Sequence, residues 1–234
     1  MKIRIKFEKT GNMKFIGHLD VMRYFQKVMR RAEVNICYSG GYSPHQIMSF
    51  AAPLGLGLTS EGEYMDIEVN ETLSSKEMVE RLNAVMVEGI KVKSYRYLPD
   101  DTKNAMSIVT AADYVLAFRE GYEPADFDGF FDKLKAFYAQ DSITILKKTK
   151  KSEVETDIKP FIYDLRIVND KIFLSVATGS ANNLKPELVM QAFYEANGME
   201  FNPFTFLIHR LEIYAVSKDG DGYISLEDMG EEIV

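Results

Sequence analysis

At 234 residues the chain is long for one compact domain and natural for two of about 100–120, and its 46% hydrophobic and 12% aromatic content supplies packed cores and argues against disorder. A single cysteine, Cys37, excludes a disulfide framework, a cysteine-built zinc site and any iron–sulfur cluster held by three or four thiolates of this chain. The formal charge of −7 is unevenly spread, with nine Lys/Arg against three Asp/Glu in residues 1–50 and two against seven in residues 201–234, so a basic N-terminal fifth sits in an acidic chain.

No apolar run is long enough to span a bilayer. Residues 47–58 come nearest and are broken by Ser49, Pro53 and two glycines, so the protein reads as cytoplasmic, without a membrane partner.

Residues 2–7 alternate Lys, Ile, Arg, Ile, Lys, Phe, the period of a strand with one buried face. Residues 19–32 switch to helical spacing, with Met22, Phe25, Met29 and Ala32 on one side and Arg23, Lys27, Arg30 and Arg31 on the other. Gly17 can cap this helix, and Asp20 puts a carboxylate in its first turn, where the helix dipole favours it. A glycine-rich turn at residues 39–45 leads into an extended stretch over 46–52, and residues 63–69 alternate as another strand. Ser74 and Glu77 form a capping box for a second helix striped by Met78, Val79, Leu82, Val85 and Met86, and residues 90–97 close the unit as a strand.

The order strand, helix, strand, strand, helix, strand is that of a split βαβ, or ferredoxin-like, domain, an antiparallel sheet with both helices on one face. Residues 99–109 then read as a linker, and the order repeats. Residues 113–118 form a strand, and Phe127, Phe130, Phe131, Leu134, Phe137 and Tyr138 stripe a helix begun near Pro124. Residues 143–151 form a strand ending in a lysine run, and 165–168 with 172–176 a hairpin around Asn169-Asp170-Lys171. A helix runs from Pro186 to Asn197-Gly198, and a last strand occupies 204–216. The expectation is an α+β protein of two tandem ferredoxin-like domains, 1–98 and 110–216, followed by an acidic tail over 217–234.

Several blocks together carry a resemblance. Phe15-Ile16-Gly17-His18-Leu19-Asp20, Arg30-Arg31-Ala32, Tyr38-Ser39-Gly40-Gly41-Tyr42-Ser43-Pro44-His45 with Ser49-Phe50, and Ser60-Glu61-Gly62-Glu63-Tyr64 resemble the radical-SAM-linked proteins, a bacterial family built on a domain of unknown function. Asp157-Ile158-Lys159-Pro160, Leu184-Lys185-Pro186-Glu187 and His209-Arg210 are similar to its later blocks, so the resemblance runs to about residue 216. Gly17 departs from the family's usual Ser, and Gln46-Ile47 from its frequent Pro-Lys. The resemblance implies an accessory partner of a radical SAM enzyme, encoded beside or fused to it, acting in RNA or ribosome maturation. Cys37 alone cannot hold the cluster such chemistry needs, so the radical step belongs to another chain.

All three histidines, His18, His45 and His209, fall inside these blocks. His18 at a helix amino end and His45 after a Gly-Gly turn are the candidates for acid/base chemistry, with Asp157 as a carboxylate partner; structural histidines bonded to backbone are the competing reading. Their spacing fits no metal motif, and neither metal nor cofactor is expected.

For nucleic acid the candidates are Arg23, Lys27, Arg30 and Arg31, the turn with Gly40, Gly41, Tyr42 and His45, and Lys147 and Lys148 of the run 147–151. Tyr38, Tyr64 and Tyr163 add possible aromatic platforms, since single-stranded RNA takes cations along its backbone and aromatic faces under its bases. His18, His45 and the Gly40-Gly41 turn are expected to line one concave surface with Arg30 or Arg31 at its rim. Residues 217–228 mimic a calcium loop, with Asp219 and Asp221 but Ser217 at its first position and Asp228 at its twelfth, which predicts a silent site.

The reading is thus a non-catalytic, RNA-binding or RNA-presenting partner of a radical SAM enzyme. The alternatives are a metal-independent RNA-processing enzyme using histidine, and a protein-interaction scaffold.

Overall fold

The alternation at the amino terminus becomes β1 (Lys2–Lys9), whose Ile3, Ile5 and Phe7 are buried, in a computed structural model that describes residues 1–148 and 153–234. Two compact units emerge, one of Met1–Thr110 with Arg210–Val234 and one of Ala111–His209. In the first, α1 (His18–Arg31) starts from an extended Gly17 that supplies no side-chain cap, with Asp20 in its first turn. Its stripe Val21, Phe25, Val28 and Met29 is buried, each such side chain contributing about 1.5–3 kcal/mol. There follow β2 (Met48–Phe50), β3 (Thr59–Glu68), α2 (Ser75–Asn83) and β4 (Ile90–Leu98). The Ser74–Glu77 capping box forms as expected.

Register fixes the strand order. Ile5 lies opposite Met65 of β3 and Tyr95 of β4, and Met65 also lies opposite Phe50 of β2, so the strands run β4-β1-β3-β2, each pair antiparallel. Both helices contribute to the core on this sheet, α1 through Phe25, Val28 and Met29 and α2 through Met78 and Leu82.

Residues 99–109 do not behave as a linker. Thr102 N–H returns to the Pro99 carbonyl, Asn104 caps the short α3 (Ala105–Ile108), and the Ala105 N–H donates to Asp66 at 2.7 Å. Asp66 is at the same time the bidentate partner of Arg4, at 2.8 and 3.0 Å, and Arg4 is only 1% exposed. A buried guanidinium needs its carboxylate, and the segment after β4 is held in place by the same group.

The second unit holds β5 (Val109–Phe118), α4 (Phe127–Tyr138), β6 (Thr144–Lys148), β7 (Glu153–Asp157), β8 (Ile162–Val168), β9 (Lys171–Ala177), α5 (Pro186–Ala196) and the start of β10 (Phe206–Val216). The order is β10-β5-β9-β8, with registered antiparallel pairs β5–β9 and β8–β9. Asn169 and Asp170 take positive φ, of 50° and 58°, to turn the β8–β9 hairpin. Aromatic rings fill the core: Phe130 stacks edge-on to Phe193 at 5.1 Å and Phe118 lies 4.9 Å from Phe206.

The expected strand over 143–151 forms as β6 over Thr144–Lys148, with residues 149–151 outside the described residues, but it does not join the β10-β5-β9-β8 sheet. Among the described residues β6 pairs only with β7, as a separate two-stranded ribbon; its Leu146 and the Val154 opposite its end stay exposed while Ile162, Leu165, Ile172, Leu174 and Val176 take the core face.

The segment after β10 is not a solvated acidic tail. Val216 pairs with Tyr223 of β11 (Tyr223–Ser225), a 3-10 turn spans Glu227–Met229, and Leu226 is fully buried. Glu231 exchanges backbone bonds with Tyr97 at 2.8 and 2.9 Å, and the Ile233 N–H donates to Ser75 Oγ. One of its acids works with one from β10: Lys6 Nζ bonds Glu212 of β10 at 2.6 Å and Glu227 at 3.0 Å. Burial alone would depress the Lys6 ammonium, but the two carboxylates more than reverse this and hold it above the ordinary lysine value.

Candidate functional site

The helical period puts the cations of α1 opposite its buried stripe, and Arg23, Lys27, Arg30 and Arg31 are all exposed. Arg23 reaches Asp20 at 3.3 Å, an exposed pair of little strength, whereas Lys27, Arg30 and Arg31 have no ion-pair partner among the described residues.

The turn that follows folds back toward the same helix. Tyr38 and Gln46 make an antiparallel bridge, and Gln46, buried beneath the turn, donates to the Gln26 carbonyl of α1 at 3.3 Å. The turn's upper side is open: Gly40, Gly41 and His45 are exposed, Tyr42 is fully exposed, and Tyr38 is more than half so. Gly41 adopts φ +95°, which favours glycine, and a Cβ at Gly40 or Gly41 would meet nothing within 4 Å. His45 is fixed within the turn, its Nδ1 2.8 Å from Ser39 Oγ and its N–H donating to the same oxygen.

His18 lies elsewhere in the same unit. It lines a cleft with Phe7, Lys9, Val21, Phe50, Ala52, Pro53, Leu54 and Glu63, and its ring meets the Phe50 ring edge-on at 5.2 Å. The lining of this cleft includes neither His45 nor the Gly40-Gly41 turn nor Arg30 or Arg31, so the cleft itself does not join His18 to the basic face and the turn.

Three residues of or beside the cleft were not singled out as site residues by sequence reasoning. Lys9 is 2% exposed and donates to the Ile16 carbonyl at 2.9 Å; burial pushes its ammonium below the usual lysine value, Glu63 opposes this and Arg210 adds to it. Glu63 is buried, with both oxygens bonded by the Arg210 guanidinium at 2.6–2.8 Å. A signal for Lys9 was present: it continues the alternation Ile3, Ile5, Phe7 one step further on the buried face. Glu63 carried no such signal, because nearly all of β3 from Tyr64 to Ile67 is buried on both faces.

The remaining candidates separate further. Asp157 accepts the Ile143 and Lys159 N–H groups, each at 2.9 Å, and these bonds hold its carboxyl below the usual range, so it caps the end of the β6–β7 ribbon and makes a poor proton acceptor. Tyr64 is 1% exposed, its hydroxyl committed to Glu212 at 2.6 Å, and so presents no face to a base. Lys147 and Lys148 end β6; their side chains, with residues 149–151 of the lysine run, lie outside the described residues. In the calcium mimic Ser217 and Gly222 close a turn and Asp228 bonds Ser225, and no grouping of three or more His, Cys, Asp or Glu suited to a metal occurs among the described residues. No described helix is long and apolar enough to cross a membrane.

A family model described as "Uncharacterized protein conserved in bacteria (DUF2344)" matches residues 2–186. The chain belongs to this family. The match takes in the basic face, the turn and all of the cleft lining, while Arg210 and the packed C-terminal segment of this DUF2344 protein fall beyond it. No curated protein matches the sequence. Among solved structures, one titled "Crystal Structure of a Cbf5-Nop10-Gar1 Complex" is similar over 90% of this chain, at 8% identity and a TM-score of 0.45. This chain covers 48% of that one, and a likeness so low carries no argument here.

Proposed function

We propose that this DUF2344 protein is an RNA-binding accessory subunit of a radical SAM enzyme and contacts single-stranded RNA through α1 and the turn after it. The observation that carries the reading is the exposed cation set Lys27, Arg30 and Arg31, without an ion-pair partner among the described residues, on the helix that also seats the turn presenting Tyr38 and Tyr42. Cations along one line suit a phosphate backbone, and a tyrosine free on both faces suits a base.

The radical SAM partner rests on the motif resemblance and on the single thiol, Cys37, which leaves a cluster to another chain. Each unit is read as ferredoxin-like, a reading supported by the orders β4-β1-β3-β2 and β10-β5-β9-β8. The geometry offers less to a histidine-based RNA-processing enzyme, because His45 is tied to Ser39 within the exposed turn and Asp157 to two backbone N–H groups.

Fluorescence anisotropy with a single-stranded oligoribonucleotide over a salt series tests the RNA reading. Binding should weaken with salt, and Arg30→Glu/Arg31→Glu should lower the log–log slope by about 1.4, which is about 0.7 for each phosphate that the variant no longer neutralises. Binding without salt dependence, or unchanged in that variant, overturns it. Co-purification with the radical SAM enzyme from the native cell tests the partner.

A further inference from the structure

The cleft at the start of α1 holds hydrogen-bond donors that the RNA-binding face does not use. Lys9 brings a buried ammonium with three N–H groups, of which one donates to Ile16; no carboxylate lies within ion-pair distance among the described residues. The acid in the lining, Glu63, has both oxygens held by Arg210. His18 lines the same space half-buried, and its ring nitrogens have no hydrogen-bond partner among the described residues. The bond from Lys9 to Ile16 brings the ammonium next to the helix start, where Gly17 offers no capping side chain and the His18 and Leu19 N–H groups are unmatched by any described acceptor.

Burying a cation without an anionic partner is costly, and an unpaired helix amino end adds positive potential to it. Lys9 of β1 and His18 of α1 line one space, and the amino end of α1 lies beside the ammonium; ammonium, imidazole and backbone N–H together are the donor set of an oxyanion. The cleft volume is about 20 Å³, above the roughly 10–15 Å³ one water needs, so it has room for an oxygen of a group reaching in from solvent. The carboxylate in the lining does not forbid this, since Arg210 neutralises it.

We infer that the Lys9–His18 cleft is a binding site for a phosphate-class oxyanion, either a free anion or the terminal phosphate of an RNA strand. This site is independent of the α1 face, which binds internal phosphates in the function proposed for it.

NMR titration of the intact protein tests it, reading the Leu19 amide and the His18 ring. Three probes are used: inorganic phosphate, a 5′-phosphorylated oligoribonucleotide, and the same oligoribonucleotide ending in hydroxyl. Saturable shifts at both positions with millimolar phosphate are expected, weakened at least about tenfold in Lys9→Met, the loss of one charge-assisted bond. Shifts with inorganic phosphate alone assign the free anion, and shifts with the phosphorylated strand but not the hydroxyl strand assign an RNA end; either supports the site. If Lys9→Met does not fold, His18→Phe, which preserves the contact with Phe50, should weaken binding several-fold. Absence of a saturable shift with all three probes, or unchanged affinity in the variant that folds, overturns the proposal. The α1-face reading is untouched by that failure, because it is decided at Arg30 and Arg31.

Discussion

Replacing Asp66 with Asn removes one charge and almost no volume, which isolates what the carboxylate does for Arg4. The guanidinium is 1% exposed and bonds Asp66 through Nε at 2.8 Å and Nη2 at 3.0 Å, with Nη1 on the Leu226 carbonyl at 3.2 Å. Asn keeps an acceptor for the Ala105 N–H but leaves Arg4 buried with neutral partners only. Breaking a buried pair on one side costs about 3–5 kcal/mol, a large part of a whole domain's stability of about 5–15 kcal/mol. Urea denaturation followed by circular dichroism should therefore show a lowered midpoint with the slope unchanged. The double variant Arg4→Met/Asp66→Leu should be less destabilised than Asp66→Asn, because it leaves no buried charge. A cost for Asp66→Asn below about 1 kcal/mol, the value of an exposed pair, would refute the reasoning.

Other substitutions probe other links. Ser74→Ala removes the capping box of α2 and should cost about 1 kcal/mol in the same assay. Gly62→Ala places a Cβ 2.5 Å from the Leu211 carbonyl, a backbone atom that cannot swing away, so β3 and β10 must separate; a loss of at least about 1–3 kcal/mol is expected. For pH, Lys6 is held above 10.5, so its contribution is complete below that value and is lost as pH rises through its folded pKa. Glu227 is held below 4.5, burial raising it and Lys6 and Arg96 outweighing that, so its contribution is present above 4.5 and lost as pH falls through its folded pKa. Lys6→Met should accordingly flatten both limbs of a stability–pH curve, and parallel curves for variant and parent would count against the network.

Elements with a regular period and a local stop signal were legible from sequence. The α1 stripe, the Ser74–Glu77 box, the Asn169-Asp170 turn and the Pro186 start of α5 each specify themselves within a few residues. What stayed hidden depended on partners far along the chain. Arg4 and Lys6 occupy the outward positions of an alternating strand and read as solvent-facing, and only the return of residues 210–234 encloses them. The acids of residues 217–234 read as an acidic tail for the same reason. Of the candidate site, exposure of the α1 cations followed from periodicity alone, whereas the convergence of His18 with Lys9 required knowing that Lys9 reaches the Ile16 carbonyl. The expected meeting of His18 and His45 assumed that loops at successive strand ends share one surface; the cleft that His18 lines does not include the turn at residues 38–46.

The first unit is discontinuous, its last strand arriving only after residues 111–209 have formed the second. On a ribosome adding about 5–20 residues per second, Arg4 waits roughly 10–45 s for the Leu226 carbonyl 222 positions away. Through that interval β1 carries two cations, Arg4 and Lys6, whose C-terminal partners have not been made, while the second unit, uninterrupted in sequence, already has all its residues. Folding during synthesis should then run out of chain order, the inserted unit maturing before the one that begins the polypeptide. A nascent chain stalled before residue 210 is the species in which the amino-terminal sheet is most open to chaperones and proteases.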